Sequence, residues 1–144
     1  MGIPLSDDIT RLIDGRNFAH LATVMSDGAP HSVPVWVGRE GDWIIVATDE
    51  GSVKSNNTRR DPRVAISIVD VADPYTVAWL RGRVVERRPD PDFNYTDPIC
   101  QKYIGRAWPL RDAVAVALII EVDKAHHEKL PFEHTLIEAA KRPA

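Results

Sequence analysis

Short apolar strand patterns separated by brief aspartate- and glycine-containing turns constrain the fold of this chain most. The first three patterns cover residues 18–24, 30–37 and 43–48, and the segments between them are 26–29 and 39–42. Such turns connect antiparallel neighbours, because a parallel crossover needs a dozen or more residues. The sequence therefore predicts a three-stranded antiparallel meander in its first third.

Three further strand patterns cover residues 64–69, 75–86 and 113–122. The last is nearly continuously apolar, so we expect both of its faces to be buried. Helices are few: one is expected after the N-cap Ser6 with Gly15 as its stop, one over 99–108, and a final turn over 136–141. About six mostly antiparallel strands with few helices predict a small barrel or a sandwich, of the α+β class with a predominance of β.

Composition limits the classes of protein to which the chain can belong. It has 144 residues, 44% of them hydrophobic and 27% charged, which predicts one folded domain spanning 1–144. It has no apolar run of the ~20 residues that a spanning helix needs and no signal-peptide pattern, so the interpretation is a cytoplasmic protein without a membrane partner. A formal net charge of −3 argues against a nucleic-acid partner.

The cysteine and histidine content predicts that no metal is bound. Cys100 is the single cysteine, which excludes an intrachain disulfide and a cysteine-based zinc site. His126 and His127 are adjacent, so on a strand they would point to opposite faces and could not easily chelate one ion.

Residues 51–63, which we call the basic connector, carry the clearest chemical signal. They contain a glycine, Ser52, Lys54 and several arginines, followed by Pro62, and they lie between two strand patterns. Two turns of helix ending before the proline would place backbone N–H groups, a hydroxyl and a cationic side chain together, which suits a phosphate. The alternative interpretation is a solvated basic loop.

Several short motifs in a fixed order resemble a known family. They are Ala22-Thr23-Val24, Asp27-Gly28-x-Pro30, Val33-Pro34-Val35-Trp36, Trp43-x-Ile45-x-Ala47-Thr48, the basic connector with Asp61-Pro62-Arg63-Val64, and Gly82-Arg83-Val84. Over about residues 6–125 the sequence resembles the flavin-binding split-barrel proteins related to pyridoxamine 5′-phosphate oxidase. Within that group it is most similar to small actinobacterial deazaflavin-dependent reductases.

The resemblance implies a six-stranded antiparallel split β-barrel that forms a homodimer, with cofactor grooves at the interface. The implied cofactor is coenzyme F420, with FMN as the alternative. The implied activity is that of an oxidoreductase transferring hydride to a small unsaturated organic substrate, because a flavin-type ring carries the redox chemistry itself. An FMN-binding oxidoreductase and a non-catalytic cofactor carrier remain alternatives.

The resemblance also implies cofactor-binding residues, although it assigns no catalytic side chain. The phosphate group would be held by Lys54 with its companions Ser52, Asn57 and Arg60, and Thr48 would lie beside it at the end of a strand. The ring and the groove would be lined by two short segments, namely Val33, Pro34, Val35 and Trp36, and Tyr75, Thr76 and Val77. Several relatives carry an arginine where this chain has Ser52, so one expected positive charge is missing.

Two questions stay open at the level of sequence. Trp36 either stacks on the ring or substrate, or packs in the core or an interface. Trp79 alternates with Arg81 and Arg83 on one predicted strand, so these side chains either hold an acidic cofactor tail or a substrate, or form a solvated or interface face. The surplus of arginines favours the acidic tail of the deazaflavin over FMN. The arginines concerned are Arg59, Arg60, Arg63, Arg81 and Arg83.

Overall fold

The computed structural model describes residues 2–135, and these form a seven-stranded antiparallel sheet with three helices. The helices are α1 (Asp7–Asp14), α2 (Val53–Arg60) and α3 (Thr96–Ile104). The strands are β1 (Ala19–Val24), β2 (Pro30–Val35), β3 (Gly38–Glu40), β4 (Trp43–Asp49), β5 (Arg63–Val69), β6 (Thr76–Pro89) and β7 (Ala115–Lys129).

The sheet has the strand order β2-β1-β5-β6-β7-β4-β3, and every neighbouring pair is antiparallel. The long strands β6 and β7 join its two halves. The β6–β7 register shifts between Arg81 and Gly82 and again between Val84 and Glu86. A Cβ at Gly82 would lie 2.0 Å from the carbonyl oxygen of Glu121, so this crossing requires glycine. The split-barrel expectation is confirmed.

The expected count of six strands was wrong by one. Residues 39–42 were predicted to form a turn, but Gly38–Glu40 pairs with β4 and makes the short strand β3. The reason is Gly41, whose φ of 60° confines the turn to two residues and lets the preceding residues join the ladder. Strand β2 correspondingly ends at Val35 instead of residue 37.

The bounds of two other elements also differ from those predicted. The apolar strand predicted over 113–122 is β7, whose residues 115–120 are all buried as expected, but it continues to Lys129 by pairing with β6. Helix α3 begins at Thr96, earlier than predicted, and it ends at Ile104 because Gly105 terminates it with a φ of 72°. The helical turn predicted over 136–141 lies outside the described residues.

The main core lies between the sheet and α1. Ser6 caps α1 as expected, since its Oγ accepts a hydrogen bond of 3.3 Å from the N–H of Ile9. The apolar face of α1, formed by Ile9, Leu12 and Ile13, is buried in the same cluster as the inner side chains of the sheet. Within residues 2–135, no helix is long and apolar enough to cross a membrane.

Candidate functional site

A cavity of about 570 Å³ opens beside β2, the end of β4 and the first turn of α2. Helix α3 and the loop that follows it form its opposite wall. Its lining is mostly apolar, with polar groups gathered at one end. The lining residues are Phe18, Pro34, Val35, Trp36, Ala47, Thr48, Asp49, Ser52, Lys54, Thr96, Ile99, Trp108, Leu110, Ala113 and Ala115.

The polar end of the cavity is built around the start of α2. Ser52 is the N-cap, and its Oγ accepts a hydrogen bond of 3.2 Å from the N–H of Ser55. The same Oγ lies 3.0 Å from the hydroxyl of Thr48 at the end of β4. The sequence folds this way because a serine with extended backbone before a helix satisfies one of its free N–H groups. The remaining free N–H groups of the first turn give this end a positive potential.

Lys54 supplies the cationic side chain of this polar end. Burial lowers the pKa of Lys54, and the nearby charge of Asp49 opposes that effect. Among residues 2–135, no carboxylate oxygen lies within ion-pair distance, 4.0 Å, of the Lys54 ammonium nitrogen. A half-buried ammonium group without an ion-pair partner favours the binding of an anion here.

The apolar end of the cavity is aromatic. Trp36 stacks on Tyr103 of α3, with ring centroids 5.2 Å apart and an interplanar angle of 7°, and meets Trp108 edge-on. The Tyr103 hydroxyl donates to the carbonyl oxygen of Asn17 at 2.6 Å and accepts from the N–H of Val37 at 3.2 Å. These contacts hold α3 against the end of β2 and orient Trp36 as a wall.

The inner face of α2 is held by polar contacts away from the cavity. Asn57 donates to the Oγ1 of Thr23 on β1 at 2.9 Å, and its Oδ1 accepts from Arg60 at 2.5 Å. The helix predicted for the basic connector is confirmed as α2, Val53–Arg60. Asn57 is 2% exposed, and its polar atoms bond within the protein.

The structure brings together six of the twelve residues that the sequence suggested for the cofactor. Those that line the cavity are Pro34, Val35, Trp36, Thr48, Ser52 and Lys54. The others lie outside it in this chain, namely Val33, Asn57, Arg60, Tyr75, Thr76 and Val77. Val33 packs against the main core. The Tyr75 hydroxyl lies 3.3 Å from His134, and the Thr76 hydroxyl donates to Asp73 at 2.7 Å.

Sequence reasoning missed the wall contributed by α3 and its following loop. Trp108 was predicted to end a helix, but it lies in the loop, where Asp97 accepts its N–H at 3.0 Å and the Arg111 guanidinium at 2.7 Å. No spacing rule links Trp108 to Trp36, because their contact depends on how α3 docks. The available signal was the presence of two aromatic residues, Tyr103 and Trp108, outside the strand patterns expected to form the core.

In the part of the chain that the structure describes, no three His, Cys, Asp or Glu side chains gather as a possible metal site. Cys100 is buried, and burial raises the pKa of its thiol, with Asp97 adding to the effect. The polar groups of the cavity are therefore hydroxyls, the Lys54 ammonium group, the start of α2 and the Asp49 carboxylate, whose Oδ1 accepts the N–H of Gly51 at 2.8 Å.

The family model of pyridoxamine 5′-phosphate oxidase matches residues 5–131, which is most of the chain. The chain belongs to the pyridoxamine 5′-phosphate oxidase family. This membership and the fold support a flavin-type oxidoreductase. No curated protein has a significantly similar sequence.

Solved structures with the same fold include an F420 reductase. It is 25% identical to this chain with a TM-score of 0.76, and the match covers 86% of this chain and 98% of the reductase. A conserved hypothetical protein from Mycobacterium tuberculosis matches with 21% identity and a TM-score of 0.72, over 98% of this chain and 96% of its own. General Stress Protein 26 from Bacillus anthracis matches with 22% identity and a TM-score of 0.65, over 84% and 91%. The latter two establish likeness of fold alone.

Proposed function

We propose that this protein is an oxidoreductase that binds coenzyme F420 in the cavity and transfers hydride to a small unsaturated organic substrate. One observation carries the proposal: Lys54 stands at the polar end of a mostly apolar cavity, with no ion-pair partner among residues 2–135. A phosphate at this position would meet an ammonium group, the Ser52 and Thr48 hydroxyls and the start of α2. The similarity to an F420 reductase supports the same cofactor.

The residues present also suit a planar ring. Strand β2 lies at one edge of the sheet, so part of its backbone hydrogen-bonding capacity is not used by β1. The backbone of Val33–Trp36 would lie along the polar edge of the ring, although Pro34 offers no N–H there. Trp36 and Trp108 would cover apolar surface and exclude water from the reacting face.

The chemistry requires little of the protein beyond binding and orientation. When bound, a reduced deazaflavin supplies the hydride, and the chain supplies the phosphate contacts and the apolar walls. Lys54 is half-buried and its ammonium group would hold the cofactor phosphate rather than take part in proton transfer. We assign no side chain as a proton donor.

We further propose that the active form is a homodimer. The open side of the cavity exposes apolar side chains, with Phe18 at 54% and Leu110 at 59% exposure. Residues Tyr75, Thr76 and Val77 do not reach the cavity of their own chain, so they would line a groove only from a second copy. A second copy covering these apolar side chains would complete the groove.

Fluorescence titration of the purified protein with coenzyme F420 and with FMN tests the cofactor proposal. We expect a colourless protein that quenches the deazaflavin fluorescence saturably and binds FMN more weakly. A yellow protein that retains FMN through purification would instead make it an FMN-dependent oxidoreductase. Tight F420 binding with no oxidation of the reduced cofactor by a panel of quinones, enones and nitro compounds would favour the carrier alternative.

A further inference from the structure

Arg87 of β6 makes two hydrogen bonds to the inner face of α2. Its Nη2 donates to the Oγ of Ser55 at 2.5 Å, and its Nη1 donates to the Oγ1 of Thr58 at 3.0 Å. Ser55 is 0% exposed and Thr58 is 4% exposed, so both hydroxyls are shielded from water. Arg87 itself does not line the cavity.

These bonds matter because α2 has no apolar face to bury. The buried residues of this eight-residue helix are Ser55, Asn57 and Thr58, all of them polar. A helix of this length is marginal on its own and usually depends on packing of an apolar stripe. Side-chain hydrogen bonds hold α2 against the sheet instead. Arg87 of β6 donates to the helix, and Asn57 of the helix donates to Thr23 of β1.

We infer that Arg87 is a positioning residue for phosphate binding, because it fixes the rotation of α2 and thereby aims Lys54 and the first-turn N–H groups into the cavity. This inference rests on the proposed function. Ser55 follows Lys54 directly, and Thr58 lies one turn further along the helix. Two bonds one turn apart restrain both the position and the rotation of the helix, which a single bond does not.

The geometry favours hydrogen bonding over bulk charge as the means by which Arg87 acts. Glu50 lies 3.9 Å from the Arg87 guanidinium and also pairs with Arg59, so its single negative charge offsets part of the two positive charges. The planar fork of arginine reaches both hydroxyls at once. A lysine at this position would keep the charge but could not reproduce the fork.

The test measures how much the phosphate-bearing part of the cofactor adds to affinity. For each variant, the Kd for the deazaflavin riboside, which lacks the phosphate and its tail, is divided by the Kd for coenzyme F420. We expect this ratio to fall about 10-fold in Arg87→Met, the equivalent of about 1.4 kcal/mol. It should fall by a similar factor in Arg87→Lys. FMN and riboflavin provide the same comparison without the glutamate tail.

Two further variants keep the result interpretable. Ser55→Ala combined with Thr58→Val removes both acceptors and leaves Arg87 in place, so it reports on the same contacts if Arg87→Met does not fold. Arg39→Met is the matched control, since Arg39 makes two bonds to Asp14, at 2.7 and 2.9 Å, far from α2. We expect the hydroxyl variant to lower the ratio and the control to leave it unchanged.

The outcomes distinguish failure of the positioning role of Arg87 from failure of the phosphate site itself. An unchanged ratio in both Arg87→Met and the hydroxyl variant overturns the positioning role while leaving the cofactor site intact. A ratio preserved in Arg87→Lys but lost in Arg87→Met would show that charge alone acts, and it would also overturn the inference. A wild-type ratio near one, for both cofactor pairs, would overturn the proposed phosphate site and this inference with it.

Discussion

Asn57 of α2 and Thr23 of β1 are joined by a hydrogen bond of 2.9 Å between Nδ2 and Oγ1. Both residues are buried, and Asn57 also accepts from Arg60. The side chain that resembled a phosphate ligand in sequence thus ties the helix to the sheet in this chain. We therefore expect it to contribute to folding more than to direct cofactor contact.

Asn57→Ala should lower the free energy of unfolding by about 1–3 kcal/mol, because it leaves the buried Thr23 hydroxyl without this partner. Urea denaturation measures the loss. Asn56→Ala, on the exposed side of the same helix, is the control and should change stability by less than about 0.5 kcal/mol. Unchanged stability together with strongly weakened cofactor binding would restore Asn57 as a direct ligand.

Lys54→Ala should weaken cofactor binding by roughly 10- to 150-fold, the equivalent of a lost charged hydrogen bond. Stability of the unliganded protein should hardly change, since burial already disfavours the charged ammonium group. The loss should be greatest at low salt, where the wild-type contact is least screened. Fluorescence titration with coenzyme F420 measures the effect.

Arg63→Ala is the control for Lys54. Arg63 is exposed and its guanidinium forms an ion pair with Asp61, with 2.6 Å between Nη2 and Oδ2. It should therefore alter cofactor binding much less. Should Lys54→Ala bind coenzyme F420 and FMN as tightly as the wild type, the basic connector is a solvated loop and the cofactor proposal fails.

The proposed homodimer is tested by sedimentation velocity at micromolar concentration. Strand β5 alternates buried and exposed residues, and its exposed side chains include Ala65, Ser67 and Val69, which share one face of the sheet with Trp79 and Arg81 of β6. Such a face is well suited to a second copy. We expect a dimer whose dissociation reduces cofactor affinity. A stable folded monomer that binds the cofactor equally well would contradict the proposal.

The strand patterns and the helix of the basic connector could be predicted because they depend on local signals. Alternating or continuous apolar runs set the strands, and Ser52 and Pro62 bound the helix. Strand β3 was not predicted because three residues carry too little pattern, and its formation depends on the tight turn at Gly41. The second half of β7 was not predicted because its sequence is charged and it forms a strand only by pairing with β6.

The candidate site could be predicted only where it is continuous in sequence. The segments around Pro34–Trp36 and Ser52–Lys54 both carry motifs, and both line the cavity. The contacts of Trp36 with Tyr103 and Trp108 join residues far apart in the chain. They follow from the docking of α3, which no local pattern encodes. The contacts of Arg87 could not be predicted for the same reason, since its partners lie far away in sequence, on α2.

Tyr103→Phe should loosen the aromatic wall of the cavity. The substitution keeps the stacking on Trp36 but removes the hydroxyl that joins the Asn17 carbonyl to the Val37 N–H. We expect a loss of about 1 kcal/mol in the free energy of unfolding and a smaller loss of cofactor affinity. Tyr103→Leu, which also removes the stacking, should be worse in both measurements. Equal behaviour of the two variants would show that the hydroxyl alone matters.

Lys102 of α3 should make stability depend on pH in the alkaline range. Its ammonium group donates to the carbonyl oxygens of Ile13 at 2.7 Å and Val37 at 2.5 Å, yet burial lowers its pKa to about 8, with Asp14 opposing the shift. The unfolded chain titrates near the ordinary value of 10.5. Between these two values the unfolded state binds more protons, so this residue's contribution to the free energy of unfolding should rise with pH.

Urea denaturation of the wild type and Lys102→Met at pH 7 and pH 10 measures this contribution. The variant lacks the titrating group, so the difference in unfolding free energy, wild type minus variant, should become more positive at the higher pH. Lys124→Met, which removes one positive charge from the exposed side of β7, is the control. A wild-type advantage that shrinks as pH rises would mean that the two carbonyl oxygens stabilise the charged ammonium group more than burial destabilises it.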